Sequence, residues 1–346
     1  MSRRDATILL GLALLTSVVF LLSLALGSTP LPWRRVAAAL LGRTRDGDFA
    51  SAVVSIIRLP RSMTAMLAGA SLGIAGLQMQ TLFRNPLADP FALGISSGAS
   101  LGVALVVLGS GSGPAAAFGT AMGMRGDALI TMAAIVGAAL VLGLVLIVSS
   151  RIANPTTVLI LGLMCGYAVS AVVTVLVGAS QPERLLQWAQ WGFGSFSGVT
   201  WQRLRLFGPL TVFGVLIAST TTKQLNALLL GENYARSMGL AVGRARLLTM
   251  LGASVLGAVV TAFCGPISFL GIAVPHLCRG LLGTSDHRVL VPAVVLMGSA
   301  AALTAQIVSL LPGEAGVLPL NAVTSLMGAP VVVAVLLRGR RGALAG

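Results

Sequence analysis

Apolar runs of membrane-spanning length alternate with short polar interruptions along almost the whole chain. A span needs about 20 apolar residues at 1.5 Å rise each. By that measure helices fall near residues 6–27, 62–83, 91–110, 128–149, 157–179, 206–222, 247–264, 267–282, 289–311 and 317–337, ten in all. The pattern predicts an all-α integral membrane protein. It reads as a single transmembrane domain over residues 1–346, with short termini and a long polar loop at 223–246. The stretch 247–283 would reach about 55 Å as one helix, against a hydrocarbon core of roughly 30 Å. It has to break, and Gly265-Pro266 is where the chain can turn. The first apolar run, Ile8 to Leu26, covers 19 residues. That is long enough to span and longer than a signal-peptide core, so it reads as a retained first helix.

One interruption is unusually compact. Residues 83–98 read FRNPLADPFALGISSG, with two prolines, an asparagine and an aspartate set between two apolar runs and almost no linker. A faint echo recurs later in the chain. Phe83-Arg-Asn-Pro86 precedes Leu93-Gly94-Ile95, and Phe263-Cys-Gly-Pro266 precedes Leu270-Gly271-Ile272. The flanking helices run in opposite directions. The echo therefore suggests helices 2–5 and 7–10 as an inverted repeat, a plan common in transporters.

Composition sharpens the class. The chain is 56% hydrophobic and 9% charged, with a mean hydropathy of +0.96. A soluble domain carries about 25% charged residues. Glycine makes up 42 of 346 residues, which suits close helix packing in lipid. The pairs Gly69/Gly73, Gly98/Gly102 and Gly162/Gly166 read as helix-packing positions of that kind. The formal net charge is +14 and the one lysine is Lys223. On this background the charge fits membrane topology and lipid headgroup contact, or acidic protein partners, and no basic run points to nucleic acid. An even number of spans puts both termini on one side. With the termini inside, 13 basic residues face in and 10 face out, six of the ten within 28–61. The expected location is a bacterial plasma membrane with cytoplasmic termini.

Several chemistries drop out. A nucleotide-binding P-loop needs Gly-Lys-Ser/Thr, and Lys223 follows Thr222. All nine acids fall in loops or at helix ends, which disfavours a proton-coupled carrier or an acid–base enzyme inside the membrane. Cys165, Cys264 and Cys278 lie in apolar stretches without ligand spacing, and two histidines are too few for a metal cluster. Three polar stretches remain open to two readings each. Arg58 and Arg61 in RLPR, at the entry to the second helix, either snorkel to the interface or dock carboxylates of an external partner. Residues 228–246, LLLGENYARSMGLAVGRAR, are either a solvated loop or a contact for a cytoplasmic motor subunit. Trp188, Trp191 and Phe193 form either an aromatic belt or the wall of a vestibule for a bulky ligand.

Taken together, RLPR, GASLGIAGLQMQTLFRNPLADPFALGISSGASLG, LGENYARSMGL, FCGPISFLGIAVPHLCRGLLGTSDHR and the GAP at 328–330 resemble, in order, the FecCD-type permeases of ABC importers. These take up iron-siderophores, haem or vitamin B12. The resemblance runs from about residue 6 to 338. It implies ten helices per subunit and a pairing with a second permease, either the same chain or a close paralogue. It also implies two cytoplasmic ATPase subunits, which bind the ATP and magnesium, and a periplasmic or lipid-anchored binding protein. The chain itself would need no cofactor. By resemblance, Arg58 and Arg61 would meet acidic residues of the binding protein. Leu230, Gly231, Glu232, Ala235, Arg236, Gly239 and Leu240 would belong to a coupling helix against the ATPase. Asn85 and Leu87 would face Thr156-Thr157 in a cytoplasmic gate, which gives the compact polar corner a purpose. The chain departs from the pattern at Gln306, where the family often has Asp, and at Val317-Leu318-Pro319-Leu320-Asn321, where it has Glu-Leu-Pro-x-Gly. It also has Leu310 where some members carry an outer arginine.

The function expected from sequence is a permease subunit of an ATP-driven importer for a bulky chelate. Ferric siderophore leads, with haem or vitamin B12 as alternatives. A secondary transporter working alone is the competing class.

Overall fold

The computed structural model describes residues 2–27, 31–43, 48–109, 126–149, 151–152, 154–311 and 316–343. Arg45 and Arg125, two of the arginines assigned to the outer face, lie outside them. No strand occurs among the described residues. Seven helices are long and apolar enough to cross a membrane. They are α1 (Arg3–Ala25), α3 (Phe49–Phe83), α5 (Asp127–Ser149), α6 (Pro155–Gly178), α8 (Trp201–Thr220), α11 (Val242–Cys264) and α13 (His287–Leu310). Three further apolar helices are α4 (Ile95–Val107), α12 (Leu270–Leu282) and α14 (Leu320–Ala343). Each of the ten overlaps one of the ten expected. Between them lie α2 (Trp33–Leu40), α7 (Pro182–Gly192), α9 (Thr222–Leu229) and α10 (Glu232–Ser237).

The centre of the molecule is α3. It packs on α13, α11, α12 and α8, and its residues from Ala68 to Phe83 are all buried. Small residues make this possible. A Cβ on Gly69 would collide with the Gly298 carbonyl of α13, and one on Gly76 with the Gly271 carbonyl of α12. Gly98 and Gly102 bring α4 onto Gly137 and Ala133 of α5 in the same way. The backbones meet directly, which replaces the missing hydrophobic drive between helices in lipid with dispersion contact.

The structure corrects one boundary. The second membrane helix begins at Phe49, well before residue 62, and passes through a π-helical turn at Val53–Arg58. The wide turn accommodates Pro60, which has no amide to donate. RLPR therefore lies within a continuous helix and not at its entry.

The break at Gly265 is present, with Gly265 at φ +75° closing α11. The echo is present too. Both α3 and α11 end in a turn with a left-handed residue just before the next helix, Gly94 (φ +79°) and Phe269 (φ +69°). Each turn leads into a helix of 13 residues, α4 and α12. At about 20 Å these two are too short to cross the hydrocarbon core alone.

Candidate gate and coupling site

The polar corner after α3 is built from local side-chain caps. Arg84 adopts a left-handed conformation (φ +47°) that ends the helix. Asn85 Oδ1 accepts from the Leu87 amide at 2.9 Å, closing an Asx turn. Asp89 Oδ1 accepts from the Phe91 amide at 2.7 Å and starts a 3₁₀ turn at Pro90–Leu93. Burial outweighs that bond and pushes the Asp89 carboxyl up to about 6. Neighbouring elements clamp the corner. His276 Nε2 of α12 donates to Pro86 O at 2.8 Å. Arg279 Nη1 donates to Gln80 Oε1 at 2.5 Å, and Gln80 Nε2 donates to Ile272 O at 3.1 Å.

Beside the corner opens a cavity of about 880 Å³. Its walls are Thr81–Arg84 of α3, Asn154–Thr156 at the start of α6, and Leu228 with Leu230–Tyr234 of the polar loop. Asn154 Oδ1 caps α6 by accepting from the Thr156 amide at 2.9 Å. Thr156 thus shares the cavity wall with the end of α3. Asn85, Leu87 and Thr157 do not line this cavity. Asn85 spends its carbonyl oxygen on the turn, and Leu87 is exposed. The corner residue that lines the cavity together with Thr156 is Arg84, whose Nη2 donates to Leu228 O at 3.3 Å.

The loop expected to couple to an ATPase folds as α9 and α10, joined through Gly231 at φ +115° and closed at Gly239, φ +82°. The helix is shorter than the expected span of Leu230 to Leu240. Ala235 is its buried anchor, and Leu240 packs half-buried on the core. Glu232 faces inward, with Oε1 at 2.6 Å from Arg246 Nη2 and Oε2 at 3.5 Å from Arg236 Nη2. Leu230 (65% exposed), Tyr234 and Met238 are exposed apolar side chains of this segment, the first two also lining the cavity.

On the opposite side the two RLPR arginines part company. Arg58 is only 4% exposed. Its Nη1 donates to Leu24 O at 3.0 Å and Ala25 O at 2.7 Å, satisfying carbonyls that the end of α1 leaves open. It is not presented to an outside partner. Arg61 lines a cavity of about 230 Å³ with Phe193, Gln306, Leu310 and Leu318, and the stretch 317–320 completes the wall. Gln306 and Leu310, which depart from the family pattern, thus border the same opening as Arg61. Asn321 accepts from the Ser268 amide at 3.0 Å and holds the start of α14 to the loop before α12. The three aromatics do not form one wall. Phe193 belongs to the Arg61 cavity, Trp191 to a separate one of about 330 Å³ with Asp127 and Arg203, and Trp188 packs on the core.

This arrangement matches a known family over nearly its whole length. The model of the FecCD transport family fits residues 15–338. The chain belongs to the FecCD transport family. Among FecCD relatives, the vitamin B12 import system permease protein BtuC of Klebsiella pneumoniae subsp. pneumoniae is 37% identical over 344 residues, covering 98% of this chain and 96% of that protein. Its counterpart from Salmonella typhi is 36% identical over 345 residues, covering 98% and 97%. A solved structure, described as an inward-facing conformation of an ABC transporter assigned to the metal-chelate type, superposes with a TM-score of 0.82 at 27% identity. That superposition covers 96% of this chain and 99% of that one. The resemblance drawn from the motifs and the all-helical membrane fold are both borne out.

Some site residues of this FecCD chain escaped the sequence reading. Tyr234 and Met238 sat inside a quoted motif, and their spacing of four on a short helix was the available signal. Arg84 and Asp89 likewise lay in the quoted corner without a role. Thr81 and His287 also sat inside quoted motifs and Asn226 outside them, but their contacts with one another were not legible, because each is remote from its partners in sequence.

Proposed function

We propose that this FecCD chain is the permease subunit of an ATP-driven ABC importer, and that its cargo is a corrinoid of the vitamin B12 class. The observation that carries this is full-length similarity to vitamin B12 import permeases at 36–37% identity. The ferric siderophore expected from sequence has no such relative among those named, so the corrinoid alternative takes its place. The chain supplies a path and gates, and no covalent chemistry. Two ATPase subunits press on the α9–α10 segment through Leu230, Tyr234 and Met238. They hold the ATP and magnesium. A second permease, the same chain or a close paralogue, completes the path between them. A binding protein delivers cargo at the outer face, with Arg61 as its ionic contact. The location is a bacterial inner membrane with both termini cytoplasmic.

The test is reconstitution in liposomes with the ATPase encoded nearest to the chain and its candidate binding protein. ATP hydrolysis and uptake of labelled cobalamin, haem and ferric siderophore are measured side by side. Cobalamin uptake that needs all three components supports the proposal. Uptake of only ferric siderophore or haem refutes the cargo, and ATP-independent uptake by the chain alone refutes the importer. Tyr234→Ala/Met238→Ala should cut hydrolysis by the complex about tenfold, on the scale of an interface hot spot, with the thermal midpoint unchanged.

A further inference from the structure

The last two turns of α3 carry a polar ladder. Gln78 and Thr81, with Arg84 just past the helix end, stand three residues apart in sequence and each reach toward α9. At one end Gln78 Nε2 donates to Thr221 Oγ1 at 3.0 Å, just before α9 begins. At the other, Arg84 Nη2 reaches Leu228 O. The middle rung is indirect and runs through His287, the first residue of α13, which is fully buried.

Hydrogen-bond logic sets the state of that rung. The His287 backbone N–H can only donate, and it lies 2.9 Å from Asn226 Oδ1, so this atom of the amide is the oxygen. The same oxygen lies 2.7 Å from His287 Nδ1, so Nδ1 carries a proton. Asn226 Nδ2 then donates to Asp286 Oδ1 at 2.6 Å. The Asp286 carboxylate caps α13 by accepting from the Arg288 amide at 2.9 Å. That amide, and after it the Asn226 side chain, hold Asp286 below the usual carboxylate range. On the other edge of the ring, Nε2 lies 2.9 Å from Thr81 Oγ1. The Thr81 hydroxyl also lies 2.9 Å from Leu77 O. It has one proton and two acceptors.

The joint is therefore unequal. Three bonds centred on Asn226 lock α9 to the start of α13. Beside the direct bonds of Gln78 and Arg84, the rung from that unit to Thr81 of α3 is a single hydroxyl, which can fall back on its own helix at little cost. From this juxtaposition we propose that His287 is a positioning residue, which passes displacement of the α9–α10 segment to the gate corner at 84–90. The mechanical claim stands on the geometry. Its use in transport rests on the importer reading above.

Hydrogen exchange on the chain in lipid nanodiscs tests the mechanical claim without any partner. The amides of Leu87 and Ala88 are both hydrogen-bonded within the corner. His287→Ala should speed their exchange about tenfold, the size of a typical coupling between sites. His287→Gln, which can still donate to Asn226 and accept from Thr81, should restore it. Thr81→Val breaks the rung from the other end with little change in volume, and should act as His287→Ala does. Faster exchange confined to residues 222–229 and 286–291, with the corner at its wild-type rate, overturns the proposal. So does a Gln variant no better than Ala. In the reconstituted complex, Thr81→Val should keep ATP hydrolysis within about twofold while uptake per ATP falls about tenfold. Uptake and hydrolysis falling in parallel overturns the role in transport. A wild-type complex that takes up nothing with ATP sinks the importer reading, while the exchange result still decides the rung.

Discussion

At the scale of single residues, two buried polar groups behave differently from their neighbours. Arg58 serves the end of α1, and its loss would orphan the carbonyls of Leu24 and Ala25. Arg58→Ala should therefore cost about 2–4 kcal/mol of stability, as two charge-assisted bonds are lost inside the protein. Arg61→Ala should leave the thermal midpoint nearly unchanged. A thermal scan in detergent separates the two, and equal shifts would contradict the assignment. Asp89 makes a prediction in pH. Its folded value of about 6 lies above the ordinary value of 3.8, so the neutral acid is the form the fold prefers. The unfolded chain gives up this proton first as pH rises. Stability is thus full below about 4 and declines until the pH passes about 6. Asp89→Asn should remove the decline and exceed wild type at pH 7.5 by about 3 kcal/mol, with no gain at pH 4. A gain that is the same at both pH values would show that burial is not the cause. Neither role was legible in the sequence. RLPR offered two arginines of equal weight, and the carbonyls that capture Arg58 lie some thirty residues upstream.

At the scale of elements, hydropathy located all ten membrane helices because it is a local property that accumulates over 20 residues. It failed where a helix is short or mixed. The eight residues of α2 and of α9 cannot show a period. The first turns of α3 read FASAVVSIIRLPR, with two arginines and a proline that lowered the signal. The glycine contacts were legible as packing, though not which helix each would meet. They make a steep prediction. Gly76→Val would drive a side chain into the Gly271 backbone and should prevent recovery of folded protein. Gly143→Val meets nothing within 4 Å and should be recovered at wild-type yield by size-exclusion chromatography. Comparable yields would mean that α3 and α12 are not packed backbone to backbone.

At the scale of the whole molecule, the topology proposed above, with ten apolar helices and the charge asymmetry, would put both termini on one side with the α9–α10 segment. Impermeant maleimide in sealed right-side-out vesicles should label Arg34→Cys and spare Ser2→Cys and Lys223→Cys. Labelling of Ser2→Cys from outside would break the parity. The fold class and the order of spans could be read from the chain alone, as could the family. The candidate gate could be read only in part. Motif order identifies the corner, but which side chain it presents depends on an Asx turn and on contacts from α12 and α9. The close seams at Gly69–Gly298 and Gly76–Gly271 have one more consequence. Interiors packed at this density pass a displacement along instead of absorbing it. With backbone against backbone on two sides, α3, α12 and α13 share one rigid frame, and a helix held this way has no room to bow. A push at the Arg84 end of α3 would therefore reach the Pro60 end as a shift of the whole rod, with no bend along the way to take it up.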